Sequence, residues 1–250
     1  SGEVHQVTLL EKLLVPLLAK LGNLVVDGGI WMNTQRPEWN DANNALVGQG
    51  LSMVTLYYLR RYVHFLQGLL ESDAAPVELS TEVGQWLRES AAALGQYRGR
   101  LGGDAITGED RLGLLTALGA ASSRYRQAVY ARQGMSGKGR VPPELLRALL
   151  GDALAALDHS IGHNRREDGL YHAYNLLGRR PGSIEVDRLY AMLEGQVAAL
   201  SCGAIRPAEA VGVLEALFAS DLYRPDQQSF MLYPDRALPR FLEKNRIPAA

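Results

Sequence analysis

The sequence predicts an all-α fold of antiparallel helical hairpins, and three observations carry that reading. Apolar residues recur at spacings of three and four along nearly the whole chain. Helix-start signals stand where several of these runs begin. The connections alternate in character, short and bland after even-numbered helices, long and chemically rich after the first, fifth and seventh.

The first run covers residues 3–21, with Val7, Leu10, Leu13, Leu14, Leu17, Leu18 and Leu21 on one face. The second covers 42–72, with Asn40 or Asp41 placed to cap it and Pro76 beyond its end. The third runs from about Ser80 to Tyr97, with Val83, Trp86, Leu87, Ala91 and Leu94 inward. Thr107-Gly108-Glu109-Asp110 is a capping signal for the fourth, which continues to about Arg132. Pro142 and Pro143 open the fifth, where a missing N–H costs nothing, and it runs to about His163. Runs over 186–201, 207–220 and 238–245 complete the set. The pattern predicts no strand hairpin; only Asn23–Trp31 reads as briefly extended. With no repeat and no linker, residues 1–250 read as a single helical domain.

Composition narrows the function classes. A 47% hydrophobic content excludes a disordered chain. Lys plus Arg is 26 and Asp plus Glu is 27, a balance unlike that of a nucleic-acid or anionic-membrane binder. One cysteine, Cys202, excludes an intramolecular disulfide and a cysteine-cluster metal site. There is no apolar run of membrane-span length and no signal-peptide pattern, so a cytoplasmic location is expected. The Ser-Gly start reads as a processed or engineered end, and the chain as a possible part of something longer.

In a stack of hairpins, the loops after odd-numbered helices emerge at one end, so the three rich loops should share a face. The first, Gly22–Asn40 with the residues that follow it, carries Asp27, Trp31, Arg36, Glu38, Trp39, Asn40, Asp41, Asn43 and Asn44. Carboxylates flanked by indole rings and amides suit sugar chemistry. Aromatic faces stack on a pyranose, amides bond hydroxyls, and a partly buried carboxyl can deliver its proton to a leaving oxygen. The plainer reading makes Asp41 a helix cap and Trp31 and Trp39 core residues.

The second loop, Asn164–Glu185, offers Glu167, Asp168, Tyr171, His172, Tyr174 and Asn175. His159, His163 and His172 raise a metal site, but the spacing makes no strong motif; a hydrogen-bonding wall reads better, and neither metal nor cofactor is expected. The third loop, Asp221–Ala237, offers Asp226, Tyr233 and Arg236, with an Asp226–Arg236 pair as a lock. Glu194 sits in an otherwise apolar run and reads equally as a buried acceptor or a site residue.

The odd-loop architecture resembles the six-hairpin (α/α) toroid of several glycoside hydrolases and inverting disaccharide phosphorylases. Trp39-Asn40-Asp41, within Pro37–Leu46, resembles the Trp-Asn-Asp segment of cellobiose-phosphorylase-like enzymes. The Tyr-His-Ala-Tyr-Asn-Leu-Leu and Leu-Tyr-Pro-Asp-Arg segments resemble those of uncharacterised bacterial relatives. The resemblance implies a partial or complete toroid, with Asp41 as the general acid that protonates the glycosidic oxygen. A full toroid needs more helices than the sequence offers, so the chain reads as the C-terminal part of a larger enzyme.

The expected function is therefore a glycoside hydrolase or inverting glycoside phosphorylase acting on an oligosaccharide. Asp41 is the acid; Glu38, placed by its chemistry rather than by the resemblance, orients it or raises its pKa by like-charge proximity. Trp31 and Trp39 stack on sugar. Arg36, Asn43, His172, Tyr174, Asn175 and Tyr233 bond hydroxyls, or phosphate in a phosphorolysis. Glu167, Asp168 and Glu194 are candidates for a second carboxylate. The alternative is a non-catalytic helical module that binds carbohydrate, or completes its core against another chain or a missing N-terminal region.

Overall fold

The computed structural model describes residues 4–33, 45–70, 75–101 and 106–245. Among the described residues eight helices alternate with short strands: α1 (Leu9–Leu21), β1 (Leu24–Val25), β2 (Gly29–Trp31), β3 (Gly50–Ser52), α2 (Met53–Leu70), β4 (Val77–Ser80), α3 (Thr81–Leu101) and α4 (Gly108–Arg132). Then come β5 (Lys138–Val141), α5 (Pro143–Gly162), β6 (Tyr174–Arg180), β7 (Ser183–Arg188), α6 (Leu193–Ser201), α7 (Pro207–Ala219), β8 (Tyr223–Arg224), β9 (Ser229–Phe230) and α8 (Phe241–Lys244).

The all-α expectation is overturned. The chain is mixed α/β, 56% helical and 16% strand, and a curled five-stranded antiparallel sheet stands where an (α/α) toroid would have long loops. The sheet order is β1-β2-β3-β6-β7. Three of its strands have only two or three residues, too few to show a period of two. They exist because their partners come from far along the chain: Ile30 pairs with Ser52, and Leu51 with Asn175. β3 lies inside the run 42–72, which the sequence reads as one helix; the helix begins only at Met53.

Hairpin β6–β7 is the longest pairing, from Asn175↔Arg188 to Arg180↔Ser183. It turns on Pro181-Gly182, with Gly182 at φ +74°, as the third position of a type II turn requires. β4–β5 and β8–β9 form two separate ladders.

The helical part follows the sequence more closely. Thr107 caps α4 through a reciprocal box: its hydroxyl accepts from the Asp110 N–H, and the Asp110 carboxylate accepts from the Thr107 N–H. Thr8 caps α1 one-sidedly, its hydroxyl accepting from the Glu11 N–H. Helices α2, α3, α4 and α5 pack on one another, with α1 against α3. Leu14, Leu18, Leu21, Leu56, Tyr57, Val63, Leu66, Leu87, Leu94, Leu149 and Leu157 form the interior, each buried. Fully burying one such side chain stabilises the fold by about 1.5–3 kcal/mol. The sheet lies against this layer, β2 on α2 and both β1 and β7 on α4. Gly29, at φ +128°, lets the sheet approach the start of α2; a Cβ there would lie 2.8 Å from the Ser52 carbonyl carbon. Among the described residues, no helix is long and apolar enough to cross a membrane.

Candidate functional site

Two polar regions meet the sheet. The first is buried and centres on Asp27, in the β1–β2 connection. Asp27 holds a left-handed backbone (φ +63°), which Asp tolerates better than most residues. Its N–H donates to Ser160 Oγ at 3.0 Å, and its carbonyl accepts from Asn164 Nδ2 and Arg188 Nη1, both at 2.8 Å. Its carboxylate Oδ2 accepts from Arg111 Nη2 at 2.8 Å, while Arg111 Nε donates to the Val26 carbonyl. His159 Nε2 stands 3.2 Å and His163 Nδ1 3.6 Å from the other oxygen, Oδ1.

Asn175, on β6, ties the same region together. Its Nδ2 donates to the Gly28 carbonyl at 2.7 Å and to Asn164 Oδ1 at 2.9 Å. Arg188, on β7, also donates to Asn164 Oδ1 and to the His163 carbonyl. The first two rich loops thus share one side of the molecule, joined through β3–β6 pairing and through Asp27, Asn164 and Asn175. Buried amides and carboxylates survive only when bonded in this way. Among the described residues, Asp27, His159 and His163 form the group with metal-ligating atoms close together, all within 4.8 Å of one another.

The second region is an open groove of about 560 Å³ between α4, β2 and the β6–β7 hairpin. Its floor is apolar: Leu112, Leu115, Leu177 and Ile184. Its rim is polar and basic, with Asn23, Asn33, Thr116, Ser123, Arg126, Arg179 and Arg180. Trp31 forms one wall, half-buried, its Nε1–H donating to the Gly48 carbonyl at 3.1 Å. The Arg179 guanidinium carbon lies 5.3 Å from the centre of the Trp31 ring. Among the described lining residues there are three arginines and no carboxylate; Arg180 meets Glu185, outside the lining, at 3.2 Å. The groove thus offers an indole, amides, hydroxyls and positive charge, a set suited to a hydroxyl-rich neutral or anionic ligand.

The sequence-derived candidates divide accordingly. Trp31 lines the groove. Glu38, Asp41, Arg36, Trp39 and Asn43 lie outside the described residues. His172 is buried, its Nδ1 at 3.0 Å from the Leu189 carbonyl. Burial, then the Arg188 and Arg166 charges, hold its pKa down to about 4, so it is neutral at pH 7 and has its Nδ1 proton on the carbonyl. Tyr174 is 2% exposed among Ala173 and Met192. Asn175 is fully buried and bonds the backbone described above. These three are therefore interior residues, not walls of the groove. Tyr233 is exposed and is not among the groove's lining residues.

Of the other candidate carboxylates, Asp168 and Asp226 are held in ion pairs. Asp168 closes a turn, accepting from Leu170 N–H and pairing with Arg166 at 2.7 Å. Burial raises its pKa, but these bonds outweigh it and hold the carboxyl below its usual range. Glu167 is exposed. Asp226 pairs with Arg224 at 2.9 Å rather than with Arg236, which stacks 4.5 Å over the Tyr190 ring.

Sequence reasoning missed Arg126, Arg179 and Arg180. A readable signal existed for two of them: Arg179-Arg180 directly precedes the Pro181-Gly182 turn, which presents them at a hairpin tip. Comparison with protein-family models and with curated proteins finds no match.

Proposed function

We propose that the chain is a carbohydrate-active protein that takes an oligosaccharide in the groove beside Trp31, with glycoside hydrolysis or phosphorolysis as its chemistry. The observation that carries this reading is the groove itself: one indole wall, a rim of amides and hydroxyls, and arginines with no lining carboxylate among the described residues. Arg179 covers the Trp31 ring, so a sugar stacking on that face displaces it. The freed guanidinium can then bond hydroxyls or phosphate. The described wall supplies no proton donor for a leaving oxygen. We assign that role to Asp41, with Glu38 three residues before it in sequence, in the segment that follows the lining residue Asn33. A cytoplasmic setting accords with the lone cysteine, Cys202, buried and with its thiol pKa pushed up by that burial.

The test is calorimetry against a panel of neutral and phosphorylated disaccharides and longer oligosaccharides, with and without inorganic phosphate, followed by product analysis. The reading expects saturable binding that Trp31→Ala removes. It further expects turnover that Asp41→Asn removes while binding persists. Absence of binding across the panel contradicts it.

A second reading, a non-catalytic interaction module, has its own observation. Helix α7 buries only Val213 and Leu217 and leaves Val211, Leu214 and Phe218 exposed, with Val197 of α6 exposed as well. Apolar surface of this kind is normally covered. Sedimentation separates the two: a monomer that binds saccharide supports the first, and self-association without saccharide binding supports the second.

A further inference from the structure

We propose that Asp27, His159 and His163 form a binding site for one divalent transition-metal ion of the zinc, cobalt or nickel kind. The proposal does not rest on the saccharide reading.

The first support is a pair of buried atoms with nothing else to bond. Asp27 Oδ1 and His159 Nε2 are both buried, and neither has a hydrogen-bond partner. They face each other at 3.2 Å. Polar atoms left so in an interior are costly, and an ion bound by both would satisfy them.

The second support is the tautomer. His159 Nδ1 lies 2.9 Å from the Leu101 carbonyl, which can only accept. That carbonyl holds a proton on Nδ1, so in the neutral ring Nε2 presents its lone pair to Oδ1. A carbonyl behind the ring in this manner is how metal-ligating histidines are commonly oriented.

The third support is convergence. His159 and His163 are four residues apart at the end of α5, the spacing that puts two imidazoles on one helix face. Their ring centres are 4.2 Å apart. His163 approaches the same oxygen, with Nδ1 at 3.6 Å from Oδ1. Two ligand atoms each ~2.1 Å from one ion lie about 3.0 Å apart at a right angle and about 3.4 Å apart at a tetrahedral one. The Oδ1–Nε2 distance falls between these values.

Two imidazoles and one carboxylate are the donor set of zinc, cobalt, nickel and ferrous iron, and a poor one for magnesium or calcium. A proton on Nε2 would also satisfy the first two atoms, and the metal titration below distinguishes the two. The site is weaker than a closed zinc site for two reasons. Arg111 on Oδ2 draws on the same carboxylate charge, and His163 Nδ1 donates to the His159 carbonyl at 2.9 Å, so coordination through Nδ1 requires that bond to break and the ring proton to move to Nε2. His163 is half-exposed, which gives the ion a way in.

The test uses the 250-residue chain after chelator treatment, titrated with Zn²⁺ by calorimetry and with Co²⁺ by visible absorption. One equivalent binds, and Co²⁺ develops the absorption of a nitrogen- and oxygen-ligated ion. His163→Ala lowers the affinity at least about tenfold. Because that side chain is half-exposed, the metal-free variant melts like the parent. Asp27→Asn lowers affinity too, but His163→Ala alone suffices if that variant does not fold. The control His64→Ala, an exposed position on α2, leaves binding unchanged. No saturable uptake, or equal uptake by His163→Ala, overturns the proposal. So does NMR showing a charged His159 ring in a chain that takes up no metal, since a proton would then fill the gap.

Discussion

The Asp27 region and the Trp31 groove both belong to the sheet, yet they are built on opposite rules. Around Asp27 most polar atoms are turned onto another protein atom: Ser160, Asn164, Asn175, Arg111 and Arg188 spend hydrogen bonds on the backbone or on one another, while Asp27 Oδ1, His159 Nε2 and Asn175 Oδ1 are left over. Around the groove the polar rim side chains are half-buried or exposed, and the floor between them is apolar. The first arrangement fixes the geometry of three chain segments. The second bonds its rim groups to one another near solvent, Asn33 to Asn23 and Arg126 to Ser123, where a ligand can exchange with those bonds and with water. Richness in polar residues therefore does not identify a binding site; what matters is where their hydrogen bonds already go.

The contrast is broken most severely at its buried end. Asp27→Ala leaves the Arg111 guanidinium without its carboxylate and places alanine at a positive φ. A loss of about 3–5 kcal/mol is expected, read as a fall in urea midpoint. A loss under about 1 kcal/mol would mean that the network is not a unit.

The pH dependence of stability tests the same interior through His172. Its folded pKa of about 4 lies below the usual value of 6.5. Its contribution is full above about pH 6.5 and is lost as pH falls toward 4, because the unfolded chain takes up the proton first. The expected decline is up to about 3 kcal/mol, and His172→Gln should flatten it. A His172→Gln profile as steep as the parent's would assign the decline to other groups.

Gly195→Ala probes packing beside the second loop. A Cβ there would meet the Ala173 Cβ at 2.8 Å and its backbone nitrogen at 3.0 Å. A cost of about 1–3 kcal/mol is expected in thermal or urea unfolding. The smallest stability effect belongs to the groove. Arg179→Ala should change unfolding by less than about 0.5 kcal/mol. It should weaken binding of phosphorylated sugars and uncover Trp31 for neutral ones. Equal effects on both ligand classes would remove Arg179 from the recognition.

The helices were legible because their evidence is local. Thr107-Gly108-Glu109-Asp110 encodes the α4 cap within four neighbours, and Pro143 the start of α5. The sheet was not legible because its evidence is remote. Leu51 pairs with Trp31 on one side and Asn175 on the other, and no window contains all three. Within the rich loops the sequence marked Trp31, which lines the groove, and it marked Asn175, His172 and Tyr174, which are interior. Residue type alone does not separate these cases, since an asparagine that bonds a sugar and one that bonds the Gly28 carbonyl are the same residue. Asp27 escaped notice as a centre because its partners arrive from α4, α5, the residues just after α5, and β7.

The most direct test of the account is an NMR titration of the chain with an oligosaccharide, following the Trp31 indole N–H beside the side-chain amides of Asn164 and Asn175. The account expects the Trp31 signal to move with saturation while the two buried amides stay in place. Shifts confined to Asn164 and Asn175, or no saturable shift at Trp31 with any saccharide in the panel, would contradict it.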